Sequence, residues 1–289
     1  MDADLTALNQ LISEMRPRLH RYCARMVGSA FDGEDVVQDA LANAAAAYSA
    51  RIDRPEAWLF RIAHNAALDA LRRRKRTSAF ESDADVLALA DETSAADARA
   101  SAESSLALLQ TLTPVERSSV VLMDVLGYAI AETAEILSIT TAAVKAALHR
   151  GRARLKSAAN EPAPATTVID PAERERLRAY ADRFNARDFD ALRDLLAEDV
   201  RLDLVNRLRL KSRKEVSVYF TRYSELQNPL HAAVGLAEGR PALLFRGADD
   251  PAHVAFVVLL EWKDGAIAAI RDFHYARYVM DSLNVADAP

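Results

Sequence analysis

Cysteine is scarce in this chain of 289 residues, since Cys23 is the only one. A single thiol cannot form an internal disulfide, a zinc site built from several cysteines, or a redox pair. Cys23 lies between Leu19 and Met26 at helical spacing, which predicts a small buried apolar residue. No other cluster of metal-ligating residues stands out, so we predict neither a metal site nor a cofactor.

Long apolar runs are also missing. The longest, AFVVLL, is far too short to cross a bilayer. The acidic start MDADLTALNQ lacks the charged and apolar segments of a signal peptide. Half of the residues are apolar and about a quarter are charged, the balance of a globular protein. These observations predict a cytoplasmic protein that has no membrane partner.

Positive charge is in deficit overall, because the net charge is −5, and this alone would disfavour a nucleic-acid partner. The deficit is unevenly distributed. Residues 1–76 and 106–160 each carry a net charge of +2, whereas 77–105 carry −6 and 161–289 carry −3. Cations cluster as RRRKR and HRGRARLK within the two basic blocks, and such local clusters set the field that a phosphate backbone meets.

Residues 5–76 and about 105–157 have the composition and periodicity of helices. We predict a helix over 5–28, a second ending near Tyr48 and capped by Asp32 or Gly33, and a third that begins at Pro55. Thr113 and Glu116 match a capping box. The acidic stretch 77–105 and the Pro-rich stretch 160–171 are predicted to be linkers.

The segment AIAETAEILSITTAAVKAALHRGRARLK has the pattern of a helix-turn-helix. On its second helix Lys145, His149, Arg152 and Lys156 share one face, beside a stripe of Val144, Leu148 and Leu155. A solvated basic face would have the same pattern, so the helix alone is not decisive. The candidate DNA contacts here are Thr140, Thr141, Lys145, His149, Arg150 and Arg152.

Two longer blocks strengthen the DNA-binding interpretation. GEDVVQDALANAAAAY with RPEAWLFRIAHNAALDALRRRKR resembles region two of the extracytoplasmic-function (ECF) sigma factors, and LLQTLTPVERSSVVLMDVLGYAIAETAEILSITTAAVKAALHRGRARLK resembles their region four. The resemblance implies a multidomain protein with two all-α sigma domains. It predicts region two at 1–76, an acidic linker at 77–105, region four at 106–158, a Pro-rich linker at 159–171 and a further domain at 172–289.

The same resemblance implies the partners. Region two of the family docks on the clamp of the largest subunit of core RNA polymerase. In this chain the resemblance implies that Asp35, Gln38 and Asp39 make this contact. The alternative is that these residues are only a solvent-facing acidic turn of the helix. Region four implies contact with the flap of the second-largest subunit and with the minus-thirty-five element of promoter DNA.

Contact with the minus-ten element is implied for the polar side of the third helix and for the loop Ser49–Arg54. The helix residues are Asn65, Asp69, Arg72, Arg73 and Arg76. Trp58 falls on the apolar stripe of that helix and is predicted to pack inward. A LuxR-like response regulator shares the LTPxER and AVKxxL patterns, but it would lack both region-two blocks.

After Pro171, two helical segments, AERERLRAYADRFNAR and DFDALRDLLAED, precede alternating stretches, which indicates an α+β domain. YADRFNARDFDALRDLLAEDVRLDL resembles the SnoaL-like, nuclear-transport-factor-like fold, a cone with a curved sheet around a pocket. The resemblance implies a domain that modulates the sigma factor, in a protein that is monomeric when free and not an enzyme. The alternative is a helix-turn-helix regulator fused to an isomerase- or cyclase-type enzyme.

A small-molecule ligand of the cone is left open by the sequence. The candidate pocket residues are Tyr180, Phe184, Trp262, Phe273, His274 and Tyr275. The candidate acids or bases are Asp199, Asp203, Asp272 and His274. Strand alternation through RDFHYARY would send Arg271, Phe273, Tyr275 and Arg277 to one face and Asp272, His274 and Tyr278 to the other.

Overall fold

A computed structural model describes residues 2–48, 52–81, 106–158, 169–226 and 230–288. The chain divides into two compact units, Met1–Pro164 and Ala165–Pro289. The predicted linkers lie mostly outside the described residues, as do positions 49–51 of the predicted promoter loop. Among the described helices, none combines the length and the apolar character that a membrane span requires.

The first unit begins with three helices, α1 (Asp2–Val27), α2 (Ala30–Ala47) and α3 (Pro55–Glu81). The prediction that Asp32 or Gly33 caps α2 is wrong. Ser29 takes that position, because its side chain accepts a hydrogen bond from the backbone N–H of Asp32 at 3.2 Å. Helix α3 starts at Pro55 as predicted, but it runs on to Glu81, five residues into the predicted linker.

The second helical block, residues 106–158, contains three short helices followed by a longer one. They are α4 (Leu106–Leu109), α5 (Pro114–Val120), α6 (Ile130–Leu137) and α7 (Thr141–Ala158), with a π-helical turn at Val121–Val125. The predicted capping box of Thr113 and Glu116 is present at the start of α5. Ser138 ends α6 in the left-handed conformation, and the Thr140 hydroxyl then accepts a hydrogen bond from the Ala143 N–H at 3.1 Å. The predicted helix-turn-helix is therefore confirmed.

One hydrophobic core runs through both helical blocks of this unit. It contains Tyr22 and Phe60 from the first block together with Leu109, Val121 and Ile136 from the second, all fully buried. Cys23 is buried in the same core, as predicted, while Trp58 is half-buried and packs against it. Because a shared core excludes water between the blocks, residues 2–81 and 106–158 form a single folded body.

The second unit has two helices, α8 (Pro171–Asn185) and α9 (Phe189–Asp194), before its sheet. The prediction of a helix as far as Asp199 is wrong, because the chain enters a strand at Leu196. Alternate burial of Leu196, Val200 and Leu202 against the core favours that strand.

A sheet with the strand order β2-β1-β6-β5-β4-β3-β7 covers the helices of this unit. Its strands are β1 (Leu196–Leu204), β2 (Leu208–Lys211), β3 (Leu230–Ala237), β4 (Arg240–Gly247), β5 (Phe256–Lys263), β6 (Ala266–Asp272) and β7 (Val285–Asp287). Strands β1 and β6 pair in parallel, and the remaining neighbours are antiparallel. A helix that the sequence interpretation missed, α10 (Arg213–Ser224), packs on β1 and β2. The α+β class is confirmed.

The predicted alternation through RDFHYARY is wrong, because β6 ends at Asp272. Its carboxylate accepts a hydrogen bond from the backbone N–H of His274 at 2.7 Å, which turns the chain two residues on. A 3₁₀ helix follows at Arg277–Ser282. Side chains after Asp272 therefore do not alternate between the faces of a sheet.

Candidate nucleic-acid interface and C-terminal cavity

Helix α7 presents the face that the sequence predicts. Val144, Leu148 and Leu155 are buried in the unit, while Lys145 and His149 are exposed. Thr140 and Thr141 are exposed at the start of the helix. Backbone N–H groups and short polar side chains at a helix N-terminus suit phosphate oxygens. Thr141, Lys145 and His149 follow at intervals of four residues, so they lie on one face of the helix.

The arginines of α7 are engaged within the unit. Arg150 Nε lies 3.1 Å from Glu116 Oε1, and Arg154 Nη1 lies 2.6 Å from Glu116 Oε2. The Glu116 side chain is only 3% exposed. Although burial acts to raise its pKa, hydrogen bonds from Thr113 and Arg150 and the charge of Arg154 bring the pKa below its usual value. Arg150 thus anchors α7 to α5 and still has half of its surface in solvent.

Arg152 is held in the same way. It makes a two-pronged contact with Asp124 of the π-helical turn, with Nε at 2.9 Å and Nη2 at 2.5 Å from the two carboxylate oxygens. Two of the six candidate DNA contacts on the helix pair therefore have carboxylate partners in this structure. Lys145 and His149 belong to none of the ion pairs found among the described residues.

The predicted polar side of α3 is on the surface, with Asn65, Asp69, Arg72, Arg73 and Arg76 all exposed. Arg72 contacts Asp69 one turn away at 2.5 Å. Arg73 crosses to α2 and lies 3.2 Å from Asp39. That ion pair brings the predicted minus-ten face into contact with the predicted polymerase-binding residues.

Those polymerase-binding candidates lie on α2. Asp35 and Asp39 are exposed and Gln38 is half-buried. The fully buried Glu34 of the same helix contacts Arg16 at 2.5 Å, and Gln38 Nε2 lies 3.5 Å from the same carboxylate oxygen. Val36 and Ala40 are buried on the opposite side, as predicted.

A second set of contacts joins α3 to α6, and the sequence interpretation missed it. Arg54 contacts the carboxylate of Glu135 and lies 3.8 Å from that of Glu132. Arg61 donates to the backbone oxygen of Glu135 at 3.1 Å. The start of α3, next to the predicted promoter loop, therefore faces the first helix of the helix-turn-helix. No short-range pattern in the sequence signals these pairs.

In the second unit, Asp272 is fully buried, and both of its carboxylate oxygens accept hydrogen bonds. The hydroxyls of Tyr219 and Tyr223 each donate to its Oδ2 at 2.7 Å, and the His274 N–H donates to Oδ1. Burial raises the pKa of Asp272, although the hydrogen bonds act in the opposite direction. Burial lowers the pKa of the neighbouring His274. Neither tyrosine was identified from the sequence, because both lie on the missed helix α10.

The predicted cone residues do not gather around one pocket. Tyr180 and Phe184 are inside the core, where Phe184 packs edge-on against Phe245 with ring centroids 5.0 Å apart. Trp262 is half-buried beneath Arg176, and Phe273 is buried beneath Arg271. The remaining two, His274 and Tyr275, line one cavity, which also has Tyr219 and Tyr223 on its wall.

Of the predicted acids, only Asp272 is enclosed. Asp199 is exposed. Asp203 lies 3.3 Å from Arg209 and 3.8 Å from Arg271, on a partly exposed surface. Within the described part of the chain, no three His, Cys, Asp or Glu side chains are grouped so that they could hold a metal ion.

Comparison with known proteins accounts for both helical blocks. Residues 11–77 match the model of sigma-70 region 2, and residues 104–155 match that of sigma-70, region 4. The ECF RNA polymerase sigma factor SigM of Mycobacterium tuberculosis is 38% identical over 157 residues, which span 53% of this chain and 76% of SigM. The chain belongs to the ECF RNA polymerase sigma factors.

This ECF sigma factor is similar to two further sigma factors of the same organism. SigG of Mycobacterium tuberculosis is 32% identical over 212 residues, covering 64% of this chain and 57% of SigG. The crystal structure of Mycobacterium tuberculosis SigJ covers 91% of this chain and 95% of its own, with 21% identity and a TM-score of 0.38.

The buried carboxylate of the sigma factor gives a prediction about pH. Because the pKa of Asp272 is raised by folding, the folded unit holds a proton that the unfolded chain loses above about pH 3.9. The contribution of Asp272 to the unfolding free energy of the second unit should therefore fall as pH rises from there toward the raised pKa, whereas the lowered pKa of His274 acts in the opposite direction. Asp272→Asn should remove that decrease. Urea unfolding followed through Trp262, in a Trp58→Phe background, measures it.

Asp199→Asn is the matched control, since Asp199 is exposed, and it should keep the decrease. The expectation is wrong if the Asp272→Asn and Asp199→Asn proteins have the same pH dependence.

Proposed function

We propose that this chain is a promoter-specificity subunit that binds core RNA polymerase and reads two promoter elements. Helices α6 and α7 provide the main support, because they form a helix-turn-helix whose second helix exposes a polar and cationic face. A helix of this kind enters the major groove, while the preceding helix lies across the backbone. In this arrangement Lys145, His149 and the two threonines face the minus-thirty-five element.

The other block supplies the second reading surface and the polymerase contact. The exposed residues of α3 from Asn65 to Arg76 suit the minus-ten element, since arginines hold the phosphate backbone while polar side chains meet unstacked bases. Asp35, Gln38 and Asp39 would contact the clamp of the largest subunit, and the second block would contact the flap of the second-largest. The ion pair of Asp39 with Arg73 links the proposed polymerase-binding residues to the proposed minus-ten residues.

Reading both elements requires the two blocks to separate. Elements at minus ten and minus thirty-five are about 85 Å apart along B-form DNA, at 3.4 Å per base pair. The two blocks share one hydrophobic core in this structure, so they cannot span that distance as they are. We therefore propose that core polymerase binds an opened form.

For the second unit we propose modulation of the sigma factor rather than catalysis. Among the described residues of this unit, Asp272 is the one fully buried acid, and its oxygens accept hydrogen bonds from two tyrosines and from the backbone. A general base must reach the proton that it abstracts, and this arrangement leaves the carboxylate little freedom to do so. An isomerase- or cyclase-type activity is the competing function.

Transcription in vitro tests the main proposal. Core polymerase supplemented with the full-length protein should start transcription at the promoter upstream of its own gene, and a 1–160 truncation should start it at a different rate. Failure of both forms on this and on other candidate promoters would contradict the sigma-factor function. Turnover of a steroid- or polyketide-like substrate by the full-length protein would support the enzymatic alternative.

The DNA-binding role of α7 is tested by Lys145→Ala. The substitution should weaken promoter binding and reduce the slope of log affinity against log salt by about 0.9 for each phosphate that is no longer neutralised. Fluorescence anisotropy at several salt concentrations measures both quantities. Adding Arg150→Ala should weaken binding further, but it also removes one of the two arginines that hold Glu116, so its melting temperature must be measured as well.

Lys263→Ala, an exposed lysine of the second unit, is the control for a general effect of charge. If Lys145→Ala and the double variant keep the affinity and slope of the unsubstituted protein, the face of α7 is only a solvated surface.

The polymerase contact is tested by replacing Asp35, Gln38 and Asp39 with alanine. Binding to core polymerase should weaken while the free energy of unfolding changes by only about 0.5 kcal/mol for each substitution, as is usual for positions outside the core. Surface plasmon resonance with immobilised core polymerase measures the first, and thermal unfolding measures the second. A large loss of stability with unchanged polymerase affinity would mean that these residues serve the fold alone.

A further inference from the structure

Exposed apolar side chains are concentrated on one part of the second unit. Among the described residues, the large apolar side chains that remain exposed are Val115, Val218 at 56%, Leu226 at 40% and Tyr275 at 44%. The last three belong to the region around α10 and the strands β1 and β2. Contiguous exposed apolar surface of this kind marks a binding site more often than chance.

A cavity of about 250 Å³ opens at this place, between α10 and the first two strands. Its apolar walls are Leu202 and Leu204 of β1, Leu208 and Leu210 of β2, and Val218 of α10. A smaller cavity of about 50 Å³ adjoins it and shares Leu204, Tyr219 and Arg222. These two adjoining cavities are together called the channel, and His274 and Tyr275 line its smaller part.

Arg222 is the polar group at the junction of these cavities. Among the described residues it takes part in no ion pair, whereas six other arginines of this unit do. The one acid on the wall, Glu215, already accepts a hydrogen bond from the backbone N–H of Lys211 at 3.1 Å. A second cation lies nearby, because the Arg207 guanidinium is 5.5 Å from the centre of the Tyr275 ring. Apart from Glu215 and Arg222, the walls of the larger cavity are therefore apolar, and the channel is positive where its two parts meet.

At the inner end, the Nδ1 atom of His274 is buried and has no hydrogen-bond partner. A buried polar atom of this kind is costly unless a ligand or water satisfies it. The His274 side chain also lines the smaller cavity. The charge and the apolar walls suit an elongated molecule with one polar end.

We propose that this channel binds a medium-chain aliphatic carboxylate, with the hydrocarbon chain against the leucines of β1 and β2 and the carboxylate on Arg222. A guanidinium pairs with a carboxylate through two parallel hydrogen bonds. Among the described residues Arg222 has no ion-pair partner, so it is available to bind a ligand that carries a single carboxylate. The site goes beyond the proposed function, since binding of the ligand does not depend on polymerase or promoter contacts.

Calorimetric titration of the full-length protein tests the proposal. Hexanoate, octanoate and decanoate should bind saturably at one site per chain, with about fourfold tighter binding for each methylene buried until the channel is filled. Octanol and octylammonium have the same number of carbon atoms as octanoate but lack the negative charge. Each should bind at least about tenfold more weakly than octanoate, since a hydrogen bond to a charged group is worth that much or more.

Substitutions locate the site. Arg222→Gln should remove the preference for octanoate over octanol. Val218→Asp should weaken the binding of octanoate, because it places a second negative charge on the wall of the cavity. Arg201→Gln, at an exposed arginine of β1 outside the cavity walls, should bind octanoate like the unsubstituted protein. Thermal unfolding of each variant establishes that the fold is intact.

Three results would overturn the proposal. One is a lack of saturable carboxylate binding. Another is equal binding of octanoate, octanol and octylammonium, and the third is equal octanoate affinity in the Arg222→Gln and Arg201→Gln proteins. If no carboxylate binds while Val218→Asp changes affinity for core polymerase, the exposed apolar surface is a contact for polypeptide instead.

Discussion

The first unit depends on how the C-terminal end of α1 is satisfied. The last carbonyl groups of a helix have no partner within it, and here they are buried against the second block. Gln110 donates to the Arg25 oxygen at 3.1 Å, and Arg117 donates to the Met26 oxygen. Arg117 also donates to the Leu112 oxygen at 3.0 Å, and burial lowers its pKa to about 10, which leaves it charged at neutral pH.

Close packing at this point explains the glycine that follows. Gly28 has a φ of +82°, which favours glycine, and a Cβ there would lie 2.6 Å from Cδ of Gln110. The turn after α1 and the start of the second block therefore constrain each other. The second unit has an equivalent arrangement, because Asp272 ends β6 and at the same time binds the two tyrosines that fix α10 over the sheet. In both units a buried polar group is satisfied by donors that are distant in sequence.

That distance explains what could be predicted. Pro55, the box of Thr113 and Glu116, and the stripe of Val144, Leu148 and Leu155 are local signals, and each gave a correct helix or helix face. Arg117 and Met26 are 91 residues apart, and Arg54 and Glu135 are 81 apart, so no periodicity relates them. For the same reason, the carboxylate partners of Arg150 and Arg152 could not be predicted. Periodicity shows only that these two arginines lie on the surface of the helix. His274 was predicted as a pocket residue, but the turn that positions it depends on the side chain of Asp272, and an alternating pattern cannot show that.

The shared core of the first unit has a consequence for affinity. If a partner binds only chains whose two blocks have separated, its apparent dissociation constant equals the intrinsic one divided by the fraction of chains that are open. That fraction is set by the contacts between the blocks, including Gln110 on the Arg25 carbonyl and Phe60 against Tyr128, whose ring centroids are 5.2 Å apart. Side chains that touch neither polymerase nor DNA thereby become determinants of how tightly both are held.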